Sequence, residues 1–259
     1  MPDIEISSSG GILSLVLNRP AKRNALTDAM YGTLADAFAH AGSDRATRVI
    51  LLAGEGESFT AGNDIADFVA VTSGTAAGRA SGPGNVLRFL DALATCTLPL
   101  VSAAQGHAVG IGTTLLLHCD HVVLGESARL STPFVNLALV PEAASSLLIP
   151  RRIGHARAYA MFALAEIVTA EQAVAWGLAN AVVPDTSLRE AALDVAGRLA
   201  AQPREALAIT KRLMRDTATI RARMDEENDA FMARLRSPEA MEAFTAFAER
   251  RKPDFSRFD

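Results

Sequence analysis

Five short aliphatic runs, each closed by turn-forming residues, constrain this chain more than any other feature. Ile12–Leu17 and Val49–Ala53 come first, Leu98–Ala104 runs into Gln105-Gly106-His107, and His121–Leu124 and Ala181–Val183 follow. Runs of this length, aliphatic and without a helical period, read as buried strands. Between the first two lies a helix pattern: Thr27 can cap it, Met30, Leu34, Ala37, Phe38 and Ala41 share one face, and Gly42 ends it. Strands alternating with helices predict an α/β core.

The punctuation changes twice. Residues 70–85 (AVTSGTAAGRASGPGN) are small, Gly-rich and aperiodic, and read as a surface loop leading into a helix over Val86–Ala94. From Pro203, suited to a first helical position, charged residues crowd the chain through Arg234, with Leu207, Leu213, Met214, Ile220, Met224 and Phe231 spaced among them. Helices of this kind need a partner surface for their apolar stripe. We therefore divide the chain into a core, 1–198, and a helical C-terminal region, 199–259.

With 259 residues, 49% of them hydrophobic, the chain can bury a sizeable core. Its formal net charge of −4 argues against a broad phosphate-contacting surface, and so against nucleic-acid binding. Cys96 and Cys119 form no CxxC and no His pair sits at metal spacing, so neither a disulfide scaffold nor a metal site is expected. No run of about 20 apolar residues marks a membrane span, and no basic-then-apolar leader opens the chain. These features read as a soluble, cytoplasmic protein.

Two glycine loops carry the chemistry. Ser58-Phe59-Thr60-Ala61-Gly62-Asn63-Asp64-Ile65 and His107-Ala108-Val109-Gly110-Ile111-Gly112-Thr113-Thr114-Leu115 each follow an expected strand, the second leading into an apolar helix. Glycine lets the main chain turn tightly and aim an N–H outward. Two such amides on a thioester oxygen would stabilise an enolate, each contributing about 3–4 kcal/mol. Neither loop is a nucleotide motif: Gly54-Glu55-Gly56 lacks the third glycine of a dinucleotide fingerprint, and neither GxxxxGK[ST] nor GxSxG occurs.

Over essentially its whole length the chain resembles the crotonase, or enoyl-CoA hydratase/isomerase, superfamily. The resemblance runs through Asn18-Arg19-Pro20, Asn24-Ala25-Leu26, both glycine loops, Cys119-Asp120, Ser131-Thr132-Pro133-Phe134 and Pro150-Arg151-Arg152-Ile153-Gly154. It continues in Thr169-Ala170-Glu171-Gln172-Ala173, Trp176-Gly177-Leu178-Ala179 and Phe247-Ala248-Glu249-Arg250-Arg251-Lys252. It implies a spiral of ββα units with a helical C-terminal region, assembled as homotrimers or as hexamers built from two trimers. It implies an acyl-CoA thioester substrate, with no cofactor beyond the coenzyme A that the substrate carries. The amides of Asn63 and Ile111 would form the oxyanion hole, the helix after Gly110 pointing its positive end at it. Lys22, Arg23, Ala25, Ala61, Gly62, Asp64 and Ile65 would line the coenzyme A, and Phe247 and Arg250 would reach the nucleotide, from a neighbouring subunit. Phe134 would wall the acyl pocket, or serve as core.

The chain departs from the hydratase pattern at two positions. Counting from Cys119-Asp120, the residues matching the two water-activating glutamates are Thr114 and Phe134, neither of which can carry a proton as a carboxylate does. Glu142, in Leu139-Val140-Pro141-Glu142-Ala143-Ala144, is the remaining acid/base candidate. A first-turn glutamate after an N1 proline is its structural reading, while its apolar flanks favour a raised pKa. The resemblance places the single glutamate of Δ3,Δ2-enoyl-CoA isomerases at this position. It therefore implies such an isomerase in fatty-acid or related acyl-CoA catabolism. The alternatives are a hydratase or other crotonase-type lyase, and a non-catalytic acyl-CoA-binding protein. His107, Asp64 and Asp120 read as local hydrogen-bonding residues, Tyr31 and Tyr159 as unconnected to a site, and Arg212, Arg215, Arg221 and Arg223 as a solvated or subunit-facing surface.

Overall fold

The computed structural model describes residues 1–64 and 84–258. Ile65 and all of the 70–85 stretch except Gly84 and Asn85 lie outside the described residues. Six strands form the main sheet: β1 (Ile4–Ser9), β2 (Ile12–Leu17), β3 (Val49–Gly54), β4 (Leu100–Ala104), β6 (His121–Gly125) and β9 (Ala181–Val183), in that spatial order. Every neighbour pair is parallel except β1 with β2. A smaller sheet holds β5 (His107–Val109), β7 (Arg129–Ser131) and β8 (Val168–Thr169). The chain gives β4 to the first sheet and β5 to the second, then repeats the step with β6 and β7, which is a spiral.

Burial on both faces explains the uninterrupted apolar runs. Ile50 and Leu52 of β3 face one core with helices α1 (Asp28–Ser43) and α2 (Asn85–Thr95). Val49, Leu51 and Ala53 face the other, against Leu188, Ala192 and Ala196. β1 was not among the expected strands because only Ile4 of its residues is buried, leaving no apolar run to read. Thr27 does cap α1, accepting from the Met30 amide at 3.3 Å, but the helix passes Gly42 and ends at Ser43.

Beyond the second glycine loop the expected apolar helix is one α turn, α3 (Ile111–Thr114), which tightens into a 3-10 turn over Leu115–His118. Then come α4 (Ser145–Ile153), α5 (His155–Ala163), α6 (Ala170–Trp176) and α7 (Leu188–Ala200). The division drawn at residue 198 falls inside α7, whose buried face belongs to the sheet. The helical layer proper is α8 (Arg204–Met214), α9 (Thr217–Leu235) and α10 (Pro238–Ala248). Pro203 stands one residue outside α8, at its cap, rather than at its first position. After α10 the chain folds back onto Glu242, which is buried and pairs with both Arg251 and Arg257.

The two glycine loops touch because their residues are small and their backbone groups pair. Thr60 bridges to Ala108, its amide donating to the His107 carbonyl at 3.0 Å while its own carbonyl accepts from Val109 at 3.1 Å. Gly62 has φ 89°, and a Cβ there would stand 2.8 Å from the Val109 carbonyl oxygen, so only glycine permits this approach. Asn24 locks the first loop from the other side. Fully buried, at φ 56°, it accepts from the Arg19 amide and donates to the Glu55 and Ser58 carbonyls at 2.9 and 2.8 Å. Replacing Asn24 with Ala leaves three main-chain groups without these partners in a conformation alanine disfavours. We expect Asn24→Ala to lose about 3 kcal/mol in denaturant unfolding; a loss below about 1 kcal/mol would show that the loop is held otherwise.

Candidate active site

In the first loop the amides of Thr60, Ala61, Gly62 and Asp64 all have acceptors within the protein: His107 O, Arg23 O, Thr60 Oγ1 and Leu26 O. Among the described residues, Asn63 N donates to none. In the second loop Val109 N and Gly110 N pair with Thr60 O and Ser131 O, and Thr113 N and Thr114 N with Gly110 O. Ile111 N, at the start of α3, again has no protein acceptor among the described residues. Gly110 makes this possible with φ 56° and ψ −117°, a conformation open to glycine. Phe134 is buried beside it, its ring within van der Waals reach of the space where a Gly110 Cβ would lie. The same ring packs on Phe162 and on the C-terminal helices.

The Asn63 side chain is fixed as well. The buried Tyr31 hydroxyl of α1 donates to Asn63 Oδ1. This corrects the reading of Tyr31 as unconnected to a site: it is joined to the loop, since a buried tyrosine needs a partner for its hydroxyl. Lys22 and Arg23 are exposed, Ala25 and Ala61 half-buried, and the four are close in space because Ala61 N donates to Arg23 O at 2.8 Å. Asp64 accepts from Arg19 at 3.0 Å, and Arg19 also binds the Ala25 carbonyl at 2.7 Å. Phe247 and Arg250 are exposed at the far end of α10.

Glu142 lies in the loop before α4, not in its first turn, which corrects the N1-proline reading. Its Oε1 accepts from the Thr114 hydroxyl at 2.5 Å, tying it to the helix that opens with Ile111. Burial pushes the carboxyl up to about 8; the Thr114 hydrogen bond pulls it down and the nearby Glu227 carboxylate pushes it up. A helix N-terminus nearby would oppose that rise, but the α4 amides are already taken. Ala144 N and Ser146 N donate to Glu227 of α9 at 2.6 and 2.9 Å.

The turn carrying Glu142 is strained and held from several sides. Ala143 and Ala144 both have positive φ, 58° and 56°, at roughly 1–2 kcal/mol each. The Ala143 carbonyl meets His118 Nε2 at 2.8 Å. His118 is fully buried; burial, then the charge of Arg215, holds its pKa down at about 3, so the ring is neutral. Arg215 donates to His118 Nδ1, which places the ring proton on Nε2, facing Ala143. This corrects the reading of Arg215 as part of a solvated or subunit-facing surface, whereas Arg212 and Arg221 are exposed. Arg215 supports the site from behind, Arg223 reaches Ser146 and Glu226, and Arg221 pairs with Asp91. Asp120 accepts from Leu100 N and pairs with Lys211 at 2.6 Å, the local role expected of it.

Sequence reasoning missed Glu227 and His118. The sign for Glu227 is its place: it follows Ile220 and Met224 and precedes Phe231 at helical spacing, a carboxylate on an apolar stripe. His118 lies within an apolar segment, where a buried imidazole gives no periodic sign.

Compared with known proteins, residues 7–257 match the family model described as Enoyl-CoA hydratase/isomerase. The chain is 34% identical to the 1,2-epoxyphenylacetyl-CoA isomerase of Escherichia coli (strain K12), covering 95% of each chain. It is 32% identical to the 2,3-dehydroadipyl-CoA hydratase of the same organism, covering 98% of this chain and 99% of that protein. A solved structure described as an enoyl-CoA hydratase/isomerase, from Pseudoalteromonas atlantica T6c, matches with a TM-score of 0.93 at 38% identity. The match covers 98% of this chain and 100% of that one. With this fold and these two loops, the chain belongs to the enoyl-CoA hydratase/isomerase family of the crotonase superfamily and is an acyl-CoA enzyme of that class.

Proposed function

We propose that this acyl-CoA enzyme is a Δ3,Δ2-enoyl-CoA isomerase in which Glu142 moves the proton. The observation that carries the reading is a half-buried carboxyl whose burial raises its pKa to near neutral and which accepts from a threonine, in a chain with Thr114 and Phe134 at the positions matching the hydratase carboxylates. Hydration needs a positioned water and a second acid/base group. Double-bond migration needs one group that both takes and returns a proton.

In this mechanism the thioester oxygen of a 3-enoyl-CoA lies between the Asn63 and Ile111 amides. Glu142 removes a proton from C2, and the C2–H electrons spread through the C3–C4 double bond and carbonyl as a dienolate. The two amides stabilise its oxygen, where the charge concentrates. The same carboxyl then returns the proton at C4, leaving a C2–C3 double bond. A pKa near 8 suits both halves of the shuttle, because the group is neither a feeble base nor a feeble acid at neutral pH. The exposed Leu213 and Met214 of α8, and Phe247 and Arg250 near the end of α10, fit a homotrimer or a dimer of trimers.

Purified protein given a 3-enoyl-CoA should form the 2-enoyl product, and given crotonyl-CoA should hydrate little of it. Glu142→Gln should lose roughly 10²- to 10⁴-fold in kcat. Efficient hydration of crotonyl-CoA by the wild type would overturn the isomerase reading. Acyl-CoA binding without turnover would favour a binding protein.

The pH dependence has a definite sign. The base must be ionised in the free enzyme, so kcat/KM should climb with pH and level off above about 8. Thr114→Val removes the hydrogen bond that favours the carboxylate, so its limb should lie higher still. A limb in the ordinary carboxylate range, near 4.5, would contradict the assignment.

A further inference from the structure

We propose that Glu227 is a positioning residue for Glu142: it reaches from the C-terminal helical layer, occupies the amides that open α4, and keeps Glu142 from pairing with them. This rests on Glu142 being the acid/base group. Glu227 is 6% exposed, and its two carboxylate oxygens divide the work, Oε2 accepting from Ala144 N and Oε1 from Ser146 N. Without that carboxylate the strongest donors near Glu142 would be free, and its side chain, two residues before Ala144, is the nearest acid to take them. A carboxyl paired with two amides would be a weak base turned away from substrate. As arranged, the partner of Glu142 among the described residues is the Thr114 hydroxyl.

Among the described residues, the charged groups around Glu227 are few. Arg223, one turn earlier on α9, donates to Ser146 Oγ at 3.3 Å and pairs with Glu226 at 3.0 Å, and Glu142 faces from the loop before α4. Burial pushes Glu227 itself up from the ordinary carboxylate range, while the hydrogen bonds from Ser146 and Ala144 favour its ionised form. Its position also couples the site to α9, so that packing of the helical layer sets the geometry of the base.

The test reads the Glu142 proton directly, by infrared difference spectra of the whole protein across pH, the band being identified by its loss in Glu142→Gln. The midpoint should lie near 8 in the wild type and fall by at least about half a unit in Glu227→Gln, as a like charge is removed. With a 3-enoyl-CoA, kcat in that variant should drop about tenfold or more and KM should change little, since misplacement acts on the reacting groups. Glu227→Asp keeps the charge one methylene short, so it should hold the midpoint near the wild-type value while lowering kcat. An unmoved midpoint and wild-type kcat in Glu227→Gln would overturn the proposal. Should that variant not fold, wild-type kcat in Glu227→Asp would overturn it as well. A midpoint that shifts in a protein turning over no enoyl-CoA would leave the Glu227 coupling intact and reject the isomerase reading alone.

Discussion

Everything distinctive about this site follows from withholding strong hydrogen-bond donors from one half-buried carboxyl. A glutamate beside a helix N-terminus would ordinarily be ionised and held by main-chain amides. Here Glu227 takes those amides, His118 takes the adjacent carbonyl, and Glu142 is left with a hydroxyl. The folded chain therefore binds this proton more tightly than the unfolded chain does. Stability falls as pH rises from the ordinary carboxylate range toward about 8, so the raised pKa is obtained at a cost to the fold. The strained pair Ala143 and Ala144 adds to that cost and is tolerated because the surrounding bonds fix it.

The opposite treatment is given to the two oxyanion candidates. Among the described residues Asn63 N and Ile111 N have no protein acceptor, while the amides of Thr60, Ala61, Gly62, Asp64, Val109, Gly110, Thr113 and Thr114 are paired. The loops are adjacent because both follow neighbouring parallel strands, β3 and β4, at their C-terminal ends. A scaffold that pairs its main chain so fully is rigid, and rigid donors cost little reorganisation when charge develops. The proposed base and donors are then held on one frame: Thr114 binds Glu142 from the same helix that Ile111 begins.

Much of this was legible in the sequence, for physical reasons that differ by element. Strands buried on both faces leave unbroken aliphatic runs, so β2, β3, β4, β6 and β9 could be read within two residues at each end. The edge strand β1 and the short strands of the second sheet could not, since their residues are too few or too exposed to leave a pattern. The glycines of the two loops advertise turns, whereas the amides they free are visible only once every other amide is paired. Glu142 was found by its apolar flanks and by the family resemblance, which places an isomerase glutamate there and leaves Thr114 and Phe134 at the hydratase carboxylate positions. Its supports were not, because Tyr31, His118, Arg215 and Glu227 act across 25 to 97 residues of chain. Such pairings are set by packing and leave no local spacing to read.

The central claim is that one carboxyl carries the proton from C2 to C4, and isotope transfer tests it most directly. A 3-enoyl-CoA bearing deuterium at C2 would be turned over in ordinary water, and the 2-enoyl product from early turnover examined at C4. A single-carboxyl shuttle predicts deuterium at C4, carried there by Glu142. Product formed with no deuterium at C4 would contradict it and require a second proton donor.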